Sequence, residues 1–264
     1  MPLPPNFGLP GGAVLAAWLH LVAGCADNQQ PAVVPPSAAA LACKAAGAAA
    51  LSPCAKPKLP PAYYVDQAQR YFDALDVDAP TDSTPTYAEL VARWEWAPWL
   101  KLTGFTREQM ESTDKMVKKF APANVSHRDC RAFATQPFAR CRVSFDYVDQ
   151  GNGKPCYIYE EFTFNDAGEQ TFIEAWSDLP DLTPILDPKD PWGERTPVHR
   201  MSTRIPGLGA PSGHIDLDGP AMKQAAALDP EVADFVARTK DFWSSFAAEG
   251  EVQGSDYFAR GCGW

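Results

Sequence analysis

Glu160 and Glu174 are the side chains whose spacing first suggests chemistry. They fall in segments near 156–165 and 169–178 that alternate in polarity as β-strands do, separated by the turn sequence Asn165-Asp166-Ala167-Gly168. A type I turn with Gly168 in the left-handed position of a bulge makes paired residues sum to 334. Phe162 then faces Phe172, Glu160 faces Glu174 and Ile158 faces Trp176, all on one side of the hairpin. Two carboxylates about 5 Å apart among apolar side chains cannot both ionise cheaply, so one should keep its proton to near neutrality and work as a general acid or base. Arg128, Arg131, Arg140 and Arg142, on the two preceding strands, could instead neutralise the pair.

His127 and Asp129 form a second candidate set, one pleat apart on one strand face, where a carboxylate could orient an imidazole. Other chemistries lack their residues. There is no GxSxG elbow, and Gly207-Leu208-Gly209 follows no strand, so neither a serine hydrolase nor a dinucleotide site is indicated. No CxxC pair occurs, and outside the N-terminal apolar run the histidines are His127, His199 and His214, so no metal and no cofactor is expected. A net charge of −10 over 264 residues, without any Lys/Arg cluster, argues against nucleic acid and against an anionic membrane surface as partners.

Elements to position these groups can be read from periodicity. Residues 62–75 place Tyr64, Ala68, Tyr71, Phe72 and Leu75 at helical spacing. Residues 86–94 repeat that spacing with Tyr87, Leu90, Val91 and Trp94, and a third helix opens at the Thr106-Arg107-Glu108-Gln109 capping box. Trp94, Trp96 and Trp99 cluster between the second and third. After Pro122 the period becomes two, with strands expected near 124–134, 139–149, 156–165 and 169–178 in an antiparallel meander.

Three helices followed by such a meander resemble the NTF2-like superfamily, and the run from Gly153-Lys154-Pro155 through Asn165-Asp166-Ala167-Gly168 to Trp176-Ser177-Asp178 resembles its SnoaL-like branch. The resemblance covers about residues 62–178. It implies an α+β cone, three helices packed on a curved antiparallel sheet of four or more strands, with room for a small, mostly apolar ligand. Trp96, Trp99, Tyr64, Tyr71, Tyr147, Phe162, Phe172 and Trp176 would line that cone, and Tyr64, Tyr71 or Tyr147 could steady an enolate as in the superfamily's isomerases. The superfamily contains isomerases, cyclases and dehydratases as well as non-catalytic binding modules, so fold alone does not decide activity. Without a His/Asp constellation spread over several elements, the sequence favours a module that binds a small apolar ligand or an envelope partner. The alternative is a cofactor-independent isomerase or lyase using Glu160 and Glu174. The open sheet leaves room for a homodimer.

Residues 1–58 hold only Asp27, Lys44, Lys56 and Lys58 among the charged side chains. The apolar run 13–24 has the length of a signal-peptide core, and Val22-Ala23-Gly24-Cys25 resembles a bacterial lipobox, implying export and lipidation at Cys25. Membrane attachment would be through that anchor alone. Residues 25–61 read as an Ala/Pro-rich tether. An exported chain permits disulfides. The six remaining cysteines allow 15 connectivities, with local arguments for Cys43–Cys54 and Cys130–Cys141 and, by elimination, Cys156–Cys262. The extension 179–264 is expected to wrap the sheet and to end in a helix capped by Asp229, with Val232, Phe235, Val236, Phe242, Trp243 and Phe246 on one face.

Overall fold

The computed structural model describes residues 33–34, 55–80, 83–99, 105–182, 184, 189–190, 192, 200–208, 210–241 and 259–264. Cys25, the Cys43–Cys54 pair and the helical continuation through Phe242, Trp243 and Phe246 lie outside them.

The fold is α+β. Helix α1 (Pro61–Leu75) begins with a proline whose missing N–H costs nothing at a helix start, and buries Tyr64, Ala68, Tyr71, Phe72 and Leu75 along one stripe. Helix α2 (Arg107–Phe120) is capped by Thr106, whose hydroxyl accepts the Gln109 N–H at 3.2 Å. Strands β3 (Ala123–Phe133), β4 (Ala139–Tyr147), β5 (Cys156–Phe164) and β6 (Gln170–Ser177) form the expected antiparallel meander.

The expected second helix is a strand. Tyr87–Glu95 forms β2, which pairs in parallel with β6, so two helices rather than three precede the meander. Seven of its nine residues are buried, on both faces of the sheet. Its charged residues Glu89, Arg93 and Glu95 share one face, but both faces are largely buried, and its Tyr, Val and Trp content suits a strand as well as a helix. With the two-residue strand β1 (Val33–Val34) beside β3, the sheet is mixed and open, in the order β1-β3-β4-β5-β6-β2.

Each face of the sheet carries its own core. Helices α1 and α2 cover one, where Tyr64 and Tyr71 pack with Phe138, Phe162 and Phe164. The other is covered by the chain after residue 200. There Met201, Ile205, Leu208, Ile215 and Leu217 join Met222 of α3 (Pro220–Leu228) and Val232 and Phe235 of α4 (Pro230–Lys240) against Ala92, Trp94 and Phe172. Asp229 caps α4 by accepting the Glu231 and Val232 N–H groups.

Two disulfides close the described part of the chain, Cys130–Cys141 across β3 and β4 and Cys156–Cys262 from β5 to the C-terminal tail. The second spans 106 residues, a length at which cross-linking removes about 4–5 kcal/mol of unfolded-state chain entropy. Removing it with C156A/C262A is expected to lower the unfolding free energy by about 4 kcal/mol in urea titrations. A loss below about 1 kcal/mol would mean that the packing of the tail holds it without the bond.

Candidate functional site

The β5–β6 hairpin decides which carboxylates meet. The Asn165–Gly168 turn forms as expected, with Gly168 at φ 84° and the Asn165 N–H donating to the Glu169 carbonyl at 3.0 Å. Phe164 pairs with Gln170, in the expected register, but the next pair is Thr163 with Phe172, because Thr171 is left out of the ladder. A one-residue slip turns every later side chain to the opposite face. Glu174 therefore stands opposite Glu161, Glu160 opposite Ala175, Phe162 opposite Ile173 and Tyr159 opposite Trp176. Glu160 and Glu174 lie on opposite faces and cannot act together.

On the outer face, Glu161 and Glu174 hold the extension to the sheet. Glu161 accepts from Arg140 at 3.0 Å and from Arg200 at 2.9 Å. Glu174 accepts from the Trp96 indole at 2.7 Å and from the Met201 and Ser202 backbone N–H groups at 2.8 and 3.0 Å. Burial, with the neighbouring charge of Glu161, pushes the Glu174 carboxyl up to about 7.

On the inner face, the alternation of β2 points Arg93 and Glu95 the same way, toward the helices. Arg93 Nη2 donates to Glu95 Oε1 at 2.6 Å and reaches Glu160 Oε1 at 3.4 Å, while Nη1 donates to the Tyr71 hydroxyl. The Tyr87 hydroxyl donates to Asp114 Oδ2 of α2 at 2.7 Å. All four charged groups are buried, so Arg93 is one cation among three carboxyls. Desolvation pushes Glu160 up to about 7, against the pull of Arg93 and with the push of Glu95. The same penalty takes Asp114 to about 7 and raises Glu95.

A cavity of about 30 Å³ opens beside this network. Arg93, Glu95 and Tyr147 line it together with Leu75, Trp99, Val117, Phe145, Ile158 and Ala175. Arg93 Nε and Glu95 Oε2 are buried there with no partner among the described residues, as are Glu160 Oε2 and Asp114 Oδ1 in the same network. Two wider clefts, of about 450 and 320 Å³, flank Leu90 and His214. They carry surface ion pairs such as Asp218–Lys240, and among the described residues no buried side-chain polar atom in their walls lacks a partner.

The other expected site residues divide as follows. Trp99 and Tyr147 line the cavity. Tyr64, Tyr71 and Phe162 are core on the same face, with the Tyr64 hydroxyl accepting the Lys58 and Leu59 N–H groups. Trp96, Phe172 and Trp176 belong to the outer face. His127 and Asp129 are exposed and separated by a bulge in β3, where His127 adopts φ 49°; Asp129 holds Arg131 at 2.8 Å, so no Asp-oriented imidazole forms. Of the arginines weighed as partners, Arg128 binds Asp73 and Asp76, and Arg142 binds Asp178. The helical reading of 86–94 hides Arg93 and Glu95, whereas Asp114 lies on the helix that opens at Thr106. The signal for Arg93 and Glu95 is the Val91-x-Arg93-x-Glu95 alternation, which puts two opposite charges on one strand face.

Carboxyls whose pKa is raised in the folded state bind protons that the unfolded chain releases, so they make stability fall as pH rises from about 4.5 to about 7 and leave it level above. Asp229, held low by Arg204, works the other way, and its contribution disappears only in stronger acid. Urea midpoints should therefore be higher at pH 5 than at pH 8. Glu160→Gln should flatten that slope, each proton accounting for up to about 1.4 kcal/mol per pH unit. A midpoint that rises between pH 5 and 8 would contradict the buried-carboxyl assignment.

Compared with protein-family models, the chain matches none. A search of curated proteins likewise finds no match.

Proposed function

We propose that this chain is an exported, lipid-anchored module of NTF2-like type that binds a small, mostly apolar molecule in its cone, with the polar end of that molecule held by Arg93 and Glu95. The observation that carries the reading is the cavity. Its walls are largely apolar, and two buried polar atoms from charged residues lining it have no partner. Unpaired buried groups of this kind cost about 1–3 kcal/mol each, which a bound polar group would recover.

Size favours binding a head group over enclosing a substrate. About 30 Å³ holds roughly two waters, whereas pockets that enclose drug-sized ligands run to about 300–1,000 Å³. Glu160, the fully buried carboxyl whose proton affinity lies near neutrality, is not part of the cavity wall, which sets it back from any substrate. An isomerase or lyase reading keeps one observation in its favour: Glu95 does line the cavity, and burial raises its pKa. Export is supported by two disulfides, which persist in oxidising compartments.

Ala175→Val adds two methyl groups to the cavity, between Glu95 and Glu160, its partners on the two neighbouring strands. Small apolar compounds with one polar group, cyclopentanone among them, should saturate a single site in ligand-observed NMR, and Ala175→Val should weaken them at least tenfold. Binding unchanged by Ala175→Val would remove the cone as the site. Intact mass of the mature chain should show cleavage before Cys25 and an added lipid, and an uncleaved N-terminus would remove the export reading.

A further inference from the structure

We infer that the cone selects a neutral head group with a hydrogen-bond acceptor and a donor on two atoms bonded to one carbon, a lactam or primary carboxamide, with Arg93 Nε–H donating to its carbonyl and Glu95 accepting its N–H. This rests on the proposed binding role of the cone and names the ligand class for it.

The geometry of the Arg93–Glu95 pair is the starting point. An arginine facing a carboxylate side-on pairs two N–H groups with two oxygens. Here one contact is made, Nη2 to Oε1, and the same Nη2 also reaches Glu160. Nη1 is taken by Tyr71. The two polar atoms of the pair left with no partner at all are Arg93 Nε and Glu95 Oε2. Both belong to side chains lining the same cavity, from positions two apart on one strand face. Because the guanidinium is rigid and the carboxylate is tied to it, the two unmade bonds are held in a fixed relation.

Charge and bonding capacity exclude charged heads and heads that only donate or only accept. An anionic head would meet Glu95 and Glu160 in a network that already has more carboxyls than cations. An ammonium has donors only, so it satisfies Glu95, leaves Arg93 Nε–H unpaired and faces the guanidinium charge. A ketone or ether accepts only, and leaves Glu95 Oε2 unpaired. An amide supplies both complements on atoms bonded to one carbon, and the volume of about 30 Å³, near that of two waters, suits such a pair of polar atoms. The amide alone takes up that volume, so the carbon skeleton would have to displace the apolar walls formed by Leu75, Val117, Phe145 and Ile158.

A matched series of five-membered rings tests the inference on the full chain with its disulfides intact: 2-pyrrolidinone, cyclopentanone, cyclopentanol and pyrrolidine, with dissociation constants read from chemical-shift changes. 2-Pyrrolidinone is expected to bind at least tenfold more tightly than each of the others. In Glu95→Met, which keeps a straight side chain but removes the acceptor, the advantage over cyclopentanone should fall below threefold while cyclopentanone itself still binds. Equal binding of 2-pyrrolidinone and cyclopentanone would overturn the amide inference and leave the cone as an apolar site. Tightest binding by cyclopentanol or pyrrolidine would overturn it in favour of another head group. No binding by any of the four would overturn both this inference and the binding role beneath it. The wild-type series decides these outcomes even if the Glu95 variant fails to fold.

Discussion

Thr171 is the pivot of the structure. It is omitted from both ladders that β6 makes: on one side the pairing steps from Phe164–Gln170 to Thr163–Phe172, and on the other from Tyr87–Gln170 to Ala92–Phe172. The residue is fully buried, its hydroxyl donates to the Thr163 carbonyl at 3.2 Å, and a methyl on Gly213 would collide with its side chain. A bulge held on several sides in this way fixes which face every later residue of the hairpin occupies. Without the slip, Glu160 would face Glu174. With it, Glu160 joins Arg93 beneath the helices, while Glu161 and Glu174 turn outward to the extension.

The two resulting carboxylate groups differ in how completely they are used. Outside, both oxygens of Glu161 accept from arginine, and both oxygens of Glu174 accept from N–H groups. A buried carboxylate satisfied in this way fixes geometry, and it clamps the segment that begins at Arg200 to the sheet. Inside, Glu95, Glu160 and Asp114 each keep an oxygen without a partner, around a single arginine. Breaking a buried pair by removing one member typically costs about 3–5 kcal/mol, so Arg93 is indispensable to the inner network although it does not complete it. The outer carboxylates are mechanical, and the inner ones are left with oxygens free to accept.

Much of the scaffold was legible because local chemistry and tertiary structure agree there. The apolar stripe from Tyr64 to Leu75, the Thr106 cap, the four meander strands and the Gly168 turn all follow from period or turn chemistry. Both described disulfides join the cysteines that spacing and elimination had paired. Two failures displaced the site. A correct turn does not fix the register beyond it, because the bulge at Thr171 depends on contacts from β2 and from Gly213, far away in sequence. Tyr87, Leu90, Val91 and Trp94 fit a helical stripe, and because the strand they form is largely buried on both faces, the polar residues at period two, Arg93 and Glu95, are buried as well and do not mark a solvent side. Reading that strand as a helix hid the shared face of Arg93 and Glu95, and with it the cavity wall.

The extension changes what the sheet can be used for. Its residues from Met201 to Phe235 occupy the outer face of β2 and β6, the kind of surface through which an open sheet pairs with a second copy, so this part of the sheet is already spent within the chain. The C-terminal tail reaches the opposite side of the structure. Cys262 is bonded to Cys156, the Gly261 carbonyl accepts from Ser177 at 2.6 Å, and Gly261 lies so close to the Trp99 indole that a methyl there would not fit. Trp99 is also a wall of the cavity. Cavity shape and tail position therefore share one side chain, and a disulfide fixes the tail. Residues beyond the sheet and its two preceding helices thus set the boundary of the space beside Arg93 and Glu95.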